Sequence, residues 1–494
     1  MNNTIGARKW LRATAAAVCA ATIFATVQAA PTWAADVTAP ATIAASQTVA
    51  PEYIKSTNWD PTVKKQLNEF IATYGTSSPS YDPTNHAYAI FDFDNTTSIL
   101  DMEEQLMIWQ LDHLAFAIAP NQMSDVLKTG IPADKLNLTY GADDGSGKAV
   151  RISDAIADAS QAYANLYNKG VVTTNGSELP AEVKNSADFK EFTSKMRWLY
   201  DAIGDTMDAS VSYPWVTYWF TGMTQDQVYN LAIKCDTYYG DPQKGQTWTK
   251  GSYAGPKDLT SAAGPVSVSY KLGVTVTPEM KELYSALSQN GIDPWICSAS
   301  PLDVIRAAVD YFKIPGVKGI VAMTNNKDAQ GRYINSYDYA YHAQTQGAGK
   351  ADTVDKVIRP LYNGRGPVFG AMDSQGDFNF ATEYKDTKVV LVVNRTRTDD
   401  AALTAGIATW QKEHHIGIKE AAKSGDTLYL LQGRNETKGS FWADDKTQQV
   451  GKKEAKGLSD KGQAAVDQLN QGKSVKQVLE DNTKLKDYKG YKNR

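Results

Sequence analysis

Two aspartates one residue apart, Asp92 and Asp94, close an apolar run in HAYAIFDFDNTTSILDMEE, residues 86–104. Carboxylates that close repel each other unless a cation or a shared proton stabilises the pair. Thr96 and the acids of DMEE follow at once. Further on, ICSAS carries Ser298, GAGK carries Lys350, and PVFGAMD brings Asp373, with Asp377 four residues later. Taken singly these residues have plain readings: aspartates capping turns, Ser298 opening a helix in SASPLDV, a surface lysine, two loop acids. Taken together they are carboxylates, a hydroxyl and an ammonium, a set that points to a bound metal ion with work to do. Oxygen-rich ligands of this kind favour Mg²⁺.

Four short runs would position these groups. AYAIFDF (87–93), PWICSAS (294–300), PVFGAMD (367–373) and KVVLVVN (388–394) are near-continuously apolar, as strands covered on both faces are. Helical patterns in PLDVIRAAVDYFKI and KADTVDKVIRPLY separate the last three. The alternation predicts an α/β fold, a doubly wound parallel sheet. In such sheets active sites lie at the carboxyl ends of the strands, which is where the candidate residues fall. Roughly 190 residues separate the first run from the second, far more than a crossover needs, and their pattern is helical and aromatic-rich. The expected organisation is a linker and N-terminal helix over 36–86, a core over 87–100 and 286–435, an inserted, mainly helical cap over 101–285, and a solvated, Lys-rich C-terminal extension over 436–494. In the N-terminal part, Asp60 is the expected N-cap, Pro61 the first helical residue and Gly75 the stop.

In this order the motifs resemble those of the haloacid-dehalogenase (HAD) superfamily of phosphotransferases. DFDNT is similar to its DxDx[TV] motif, ICSAS to its second, Lys350 to its third and DSQGD to its acidic fourth. Met372 departs from the pattern, which has Gly before the first acid, and its side chain is expected to crowd that turn. The resemblance implies a HAD-like core, with Asp92 as the nucleophile on phosphorus and Asp94 as general acid and base. It implies Mg²⁺ held by Asp92, Asp373 and Asp377 with the main-chain carbonyl of Asp94, and Lys350 and Ser298 on the phosphoryl oxygens. An acid at 94 favours phosphatase over dehalogenase or transport-ATPase chemistry. DxDNT, DMEE and PWVTYWFTGMT together resemble the secreted phosphorylcholine phosphatases of this superfamily. That likeness implies a substrate site of Thr96, Glu103, Glu104, Trp215, Tyr218 and Trp219, in which aromatic faces and acids receive a quaternary ammonium head. The aromatics fit equally well as the insertion's own core, and the glutamates as first-turn helix acids. Two other readings stay open: a broad-specificity acid phosphatase, and a non-catalytic extracellular binding protein on the same fold.

The bulk composition narrows the partners. The chain has 494 residues, 42% hydrophobic and 21% charged, with a formal net charge of -4. That balance gives no ground for nucleic-acid binding. Arg8, Lys9 and Arg12, then ATAAAVCAATIFATVQA, then small residues to Ala35 make residues 1–35 a bacterial-type secretory signal, so the expectation is an extracytoplasmic protein without stable membrane insertion. Cys235 and Cys297 are compatible with a disulfide or with two buried thiols. The five histidines, His86, His113, His342, His414 and His415, have no metal-ligand spacing.

Overall fold

A computed structural model describes residues 52–240 and 249–494. The signal at 1–35 and most of the 36–56 linker lie outside the described residues. Six strands form one parallel sheet: β1 (Tyr88–Phe91), β2 (Asp293–Pro301), β3 (Gly319–Met323), β4 (Phe369–Met372), β5 (Val389–Val393) and β6 (Leu428–Gln432), in the order β6-β5-β4-β1-β2-β3. Ala89 pairs with Phe369 of β4, and Ile90 with Trp295 of β2. The strand period of two is visible within β1. Ala89 and Phe91 join the apolar cluster on one face of the sheet, while Tyr88 and Ile90 join the other. From β1 the chain winds outward through β2 and β3. It then crosses back to β4 and winds the other way, so the switch in strand order falls between β1 and β4, where open α/β sheets bind ligands.

The first helix, α1 (Pro61–Tyr74), has Asp60 as N-cap, Pro61 at its start and Gly75 at its end. Between β1 and β2 the chain inserts α2 (Met102–His113), α3 (Ile152–Asn168), α4 (Ala187–Thr206), α5 (Ala209–Thr217) and α6 (Gln225–Tyr239), with an antiparallel hairpin of Thr249–Ala254 and Ser267–Leu272. The insertion is mainly helical, and its apolar side chains belong to the same cluster as Phe91 and Phe369 of the sheet. The boundary expected at 285/286 cuts through α7 (Pro278–Gln289). Thr277 caps this helix, Pro278 starts it, and Tyr284 packs on Phe91 at 4.3 Å between ring centroids, so the sheet's helical layer resumes at about Pro278. After β2 follow α8 (Leu302–Phe312), α9 (Ala348–Thr353) and α10 (Ala401–Glu413).

Residues 436–494 are not a solvated extension. The helices α11 (Asp460–Asn470) and α12 (Val475–Asn482) bury Leu469, Val475, Val478 and Leu479 against Leu403 and Ile407 of α10. The last residue, Arg494, donates to Glu383 Oε2 at 2.5 Å and to Asp352 Oδ1 at 2.8 Å. The many lysines mask the helical apolar period that drives this docking. Among the described residues Cys235 and Cys297 are both buried and form no disulfide. Among the described residues no helix is long and apolar enough to cross a membrane.

Candidate active site

Asp92 is the residue at which β1 gives way to a tight turn over Phe93–Thr97. The turn depends on Asn95, which adopts a left-handed φ of 66°, a region in which Asn is tolerated better than most side chains. Its carbonyl accepts from Arg434 Nη1 at 2.6 Å, and Asn95 Oδ1 accepts from Nη2 at 3.1 Å. Thr97 Oγ1 closes the turn onto the Asp92 carbonyl at 2.7 Å. Thr96, expected to contact substrate, is instead fully buried. Its hydroxyl lies 3.0 Å from Asp92 Oδ2 and 3.1 Å from Asp373 Oδ1. A hydroxyl is a donor that two acceptor-only carboxylates can share, so Thr96 holds the acids together.

Lys350 enters from α9. Gly347 before the helix has φ 52°, and a Cβ at Gly349 would lie 1.9 Å from the Gln344 carbonyl. The two glycines of GAGK therefore allow a backbone path that no other residue fits. Lys350 is 2% exposed, with Nζ 2.5 Å from Asp92 Oδ1 and 2.7 Å from Asp377 Oδ1. Asp377 also accepts from the amides of Asp373 and Ser374 through Oδ2, each at 3.2 Å. Met372 does not crowd this turn. Its side chain points into the apolar cluster on the sheet's other face, where Thr404 Oγ1 lies 3.8 Å from its sulfur.

Asp92, Asp373 and Asp377 bring one carboxylate oxygen each within 4.8 Å of one another. Burial pushes Asp92 well above the usual carboxylate range, and Asp377 and Asp373 add to this against the opposing pull of Lys350. Burial pulls the Lys350 pKa down, but Asp377 and Asp92 outweigh it, push the pKa well up and hold the group as an ammonium. Asp92 and Asp377 thus share one ammonium, Asp373 pairs with Arg395, and the three acids remain one positive charge short. Hard oxygen donors in that state fit Mg²⁺. Asp94 has its carboxylate outside this group. Its Oδ1 accepts from the Met102 amide at 2.6 Å and its Oδ2 from Ser300 Oγ at 2.5 Å. Burial raises its pKa against those hydrogen bonds.

The cleft above these groups has a volume of about 390 Å³. Ser298 does not line it; it is fully buried and accepts from the Ser300 amide at 3.1 Å. The strand extends to Pro301, and the hydroxyl it presents to the cleft is that of Ser300. Glu103 lines the cleft. Among the described residues its Oε1 has no hydrogen-bond partner, and burial, then Asp101 and Asp94, push its pKa well up against a hydrogen bond from Ser300. Glu104 turns away to Arg197, 2.7 Å from Nη2, because that buried guanidinium lies on its side of α2. Trp215, Tyr218 and Trp219 do not reach the cleft either. Trp215 Nε1 donates to the Leu127 carbonyl at 2.7 Å, Trp215 packs edge-on to Trp219, and Trp219 packs on Phe116. Pro214 lies within α5, and the helical turn carries the aromatics after it into the insertion's core. The rings that line the cleft are Tyr200 and Tyr213. Arg395 is a further lining residue, with Nη1 3.0 Å from Asp373 Oδ2. It follows directly on the KVVLVVN run, so reading the end of that strand as the ends of the other three were read would have found it.

No protein-family profile matches the chain, and no curated protein matches it in sequence. Among solved structures it is similar to a functionally unknown protein from Anaerococcus prevotii DSM 20548, at 26% identity and a TM-score of 0.68 over 81% of this chain and 99% of that one. A phosphoserine phosphohydrolase-like protein from Francisella tularensis is 14% identical over 62% of this chain and 87% of its own, with a TM-score of 0.27. Cytosolic 5'-nucleotidase IIIB bound to cytidine is 12% identical over 69% and 81%, with a TM-score of 0.29. The Anaerococcus protein shares the fold; the other two likenesses are too loose to carry an argument.

Proposed function

We propose that the chain is a Mg²⁺-dependent phosphomonoesterase of HAD type that works through a phospho-aspartate on Asp92. The observation that carries this reading is the convergence of Asp92, Lys350, Asp373 and Asp377 at the sheet's switch point, with Asp94 beside them on the cleft wall. Asp92 attacks phosphorus and the bond from phosphorus to the ester oxygen breaks. Asp94, whose pKa is raised by burial, gives its proton to the leaving oxygen. A water then attacks the phosphoryl group, Asp94 takes the proton back, and phosphate leaves with Asp92 regenerated. Lys350 orients Asp92 and offsets its charge. Mg²⁺, held by Asp92, Asp373 and Asp377 together with the Asp94 carbonyl, would neutralise the phosphoryl oxygens when bound.

The substrate best suited to the opposite wall is a small ester with a cationic head, phosphorylcholine among them. Glu103 has an unpaired buried oxygen there, Asp101 lies beside it, and the rings of Tyr200 and Tyr213 border the same space. A quaternary ammonium would satisfy these acids and face the rings at about 0.5–2 kcal/mol per contact. We place the protein outside the cytoplasm, on the strength of the leader-like residues 1–35. The test is phosphate release from phosphorylcholine, phosphoethanolamine, sugar phosphates, nucleotides and p-nitrophenyl phosphate, with and without Mg²⁺. A preference for cationic esters is expected. Equal rates across the panel would favour a broad acid phosphatase, and binding without release at any divalent ion would favour a binding protein.

A further inference from the structure

A phosphate dianion entering this cleft meets many acids and few cations. Among the described residues that line it, the cations are Lys350, Arg395 and Arg397. Lys350 is committed to Asp92 and Asp377. Arg397 forks onto Asp399, two residues on, with Nε 2.8 Å from Oδ2 and Nη2 on the same oxygen, so its anchor is not one of the clustered acids. Arg395 differs. Its Nη1 donates to Asp373 Oδ2 at 3.0 Å and its Nε lies 3.9 Å from Glu436 Oε1, while Nη2 has no acceptor among the described residues. Glu436 is itself buried and fixed by Arg434 at 2.7 Å. Gln449 Nε2 donates to the main-chain carbonyl of Arg395 at 3.2 Å. The guanidinium is thus anchored through Nη1, with Glu436 near Nε, and it lines the cleft with its side chain 20% exposed. A planar fork held this way is preorganised for an oxyanion.

Resting on the phosphatase reading above, we infer that Arg395 is a further catalytic residue, whose free Nη2 grips a non-bridging oxygen of the phosphoryl group. It would add a second cationic donor to that of Lys350, two of whose three N–H groups are taken by carboxylates, and it would strengthen its hold as charge gathers on those oxygens in the transition state. The competing role is purely positional, with Arg395 only holding Asp373 in place.

Orthophosphate binding at saturating Mg²⁺ separates the two roles, measured by calorimetry on the whole chain alongside turnover. Arg395→Gln should weaken orthophosphate about 10- to 100-fold, the range for one lost charged hydrogen bond. Arg395→Lys, which keeps the charge and perturbs the fold least, should recover part of that loss. If Arg395→Gln raises only the Mg²⁺ concentration needed and binds orthophosphate within about twofold of the parent, the assignment of Arg395 is wrong while the phosphatase reading stands. If the parent chain neither releases nor binds phosphate, the phosphatase reading fails and takes this one with it.

Discussion

Lys350 Nζ lies 2.5 Å from Asp92 Oδ1, although 258 residues separate them in the chain. Asp377 shares the same ammonium, so one cation keeps two buried carboxylates apart from open repulsion. Removing one partner of a buried pair leaves the others uncompensated and costs about 3–5 kcal/mol. Lys350→Met should therefore lower unfolding stability by about that amount and end turnover. Adding Asp92→Asn to that variant should recover part of the stability but none of the activity. Urea denaturation of the two single variants and the double variant measures this coupling. Strictly additive losses would mean that the pair is not energetically joined.

Asp94 is assigned both proton transfers, each worth about 10²–10⁴-fold in rate. p-Nitrophenolate leaves without needing a proton, so Asp94→Asn should slow the attack of water more than the first step with that ester. Rapid mixing should then give a burst of p-nitrophenol close to one equivalent of enzyme, followed by slow turnover. A variant with no burst and full steady-state rate would remove Asp94 from the mechanism.

A divalent ion that binds the folded chain alone raises its stability in proportion to the logarithm of its concentration over Kd. Mg²⁺ should raise the melting temperature of the parent chain, and chelator should reverse the shift and abolish turnover. Asp373→Asn should lose most of the shift. An equal shift in that variant would place the ion elsewhere.

Burial alone would raise Glu436, but Arg434, Arg395 and Lys271 around it hold its pKa down at about 2 against an ordinary 4.5. A folded pKa below the unfolded one means that stability is fully present above pH 4.5 and is lost as pH falls towards 2. The contribution is about 3 kcal/mol. Glu436→Gln should be less stable than the parent at pH 5.5, and the gap should narrow steadily as the pH is lowered. A gap constant from pH 5.5 to 3 would show that the carboxylate's charge does not matter. Because Arg434 also fixes Asn95 beside Asp92, the variant should lose activity as well as stability.

What the sequence made legible follows from the range of the interactions involved. The four inner strands are legible because each is apolar on both faces. The edge strand Gly319–Met323 and the strand Leu428–Gln432 were missed, since they are short runs embedded in polar stretches. Asp92, Lys350, Asp373 and Asp377 stand where strand ends and a glycine-rich turn must put them. The side of the cleft that meets substrate was harder to see. Which of Glu103 and Glu104 faces inward is decided by Arg197, roughly 90 residues away. Trp215 and Trp219 are drawn inward by Leu127 and Phe116, which no local pattern connects to them. Arg434 is invisible for the same reason: its role exists only once the C-terminal segment is docked beside the turn after β1.

The most direct test of the account is to look for the covalent intermediate. Turnover of phosphorylcholine with Mg²⁺ should be quenched in acid and the digested protein examined by mass spectrometry. A phosphoryl group on the peptide holding Asp92, absent from Asp92→Asn and increased in Asp94→Asn, is the predicted result. An Asp92→Asn protein that still releases phosphate at the parent rate, with no phosphorylated peptide in either chain, would contradict it.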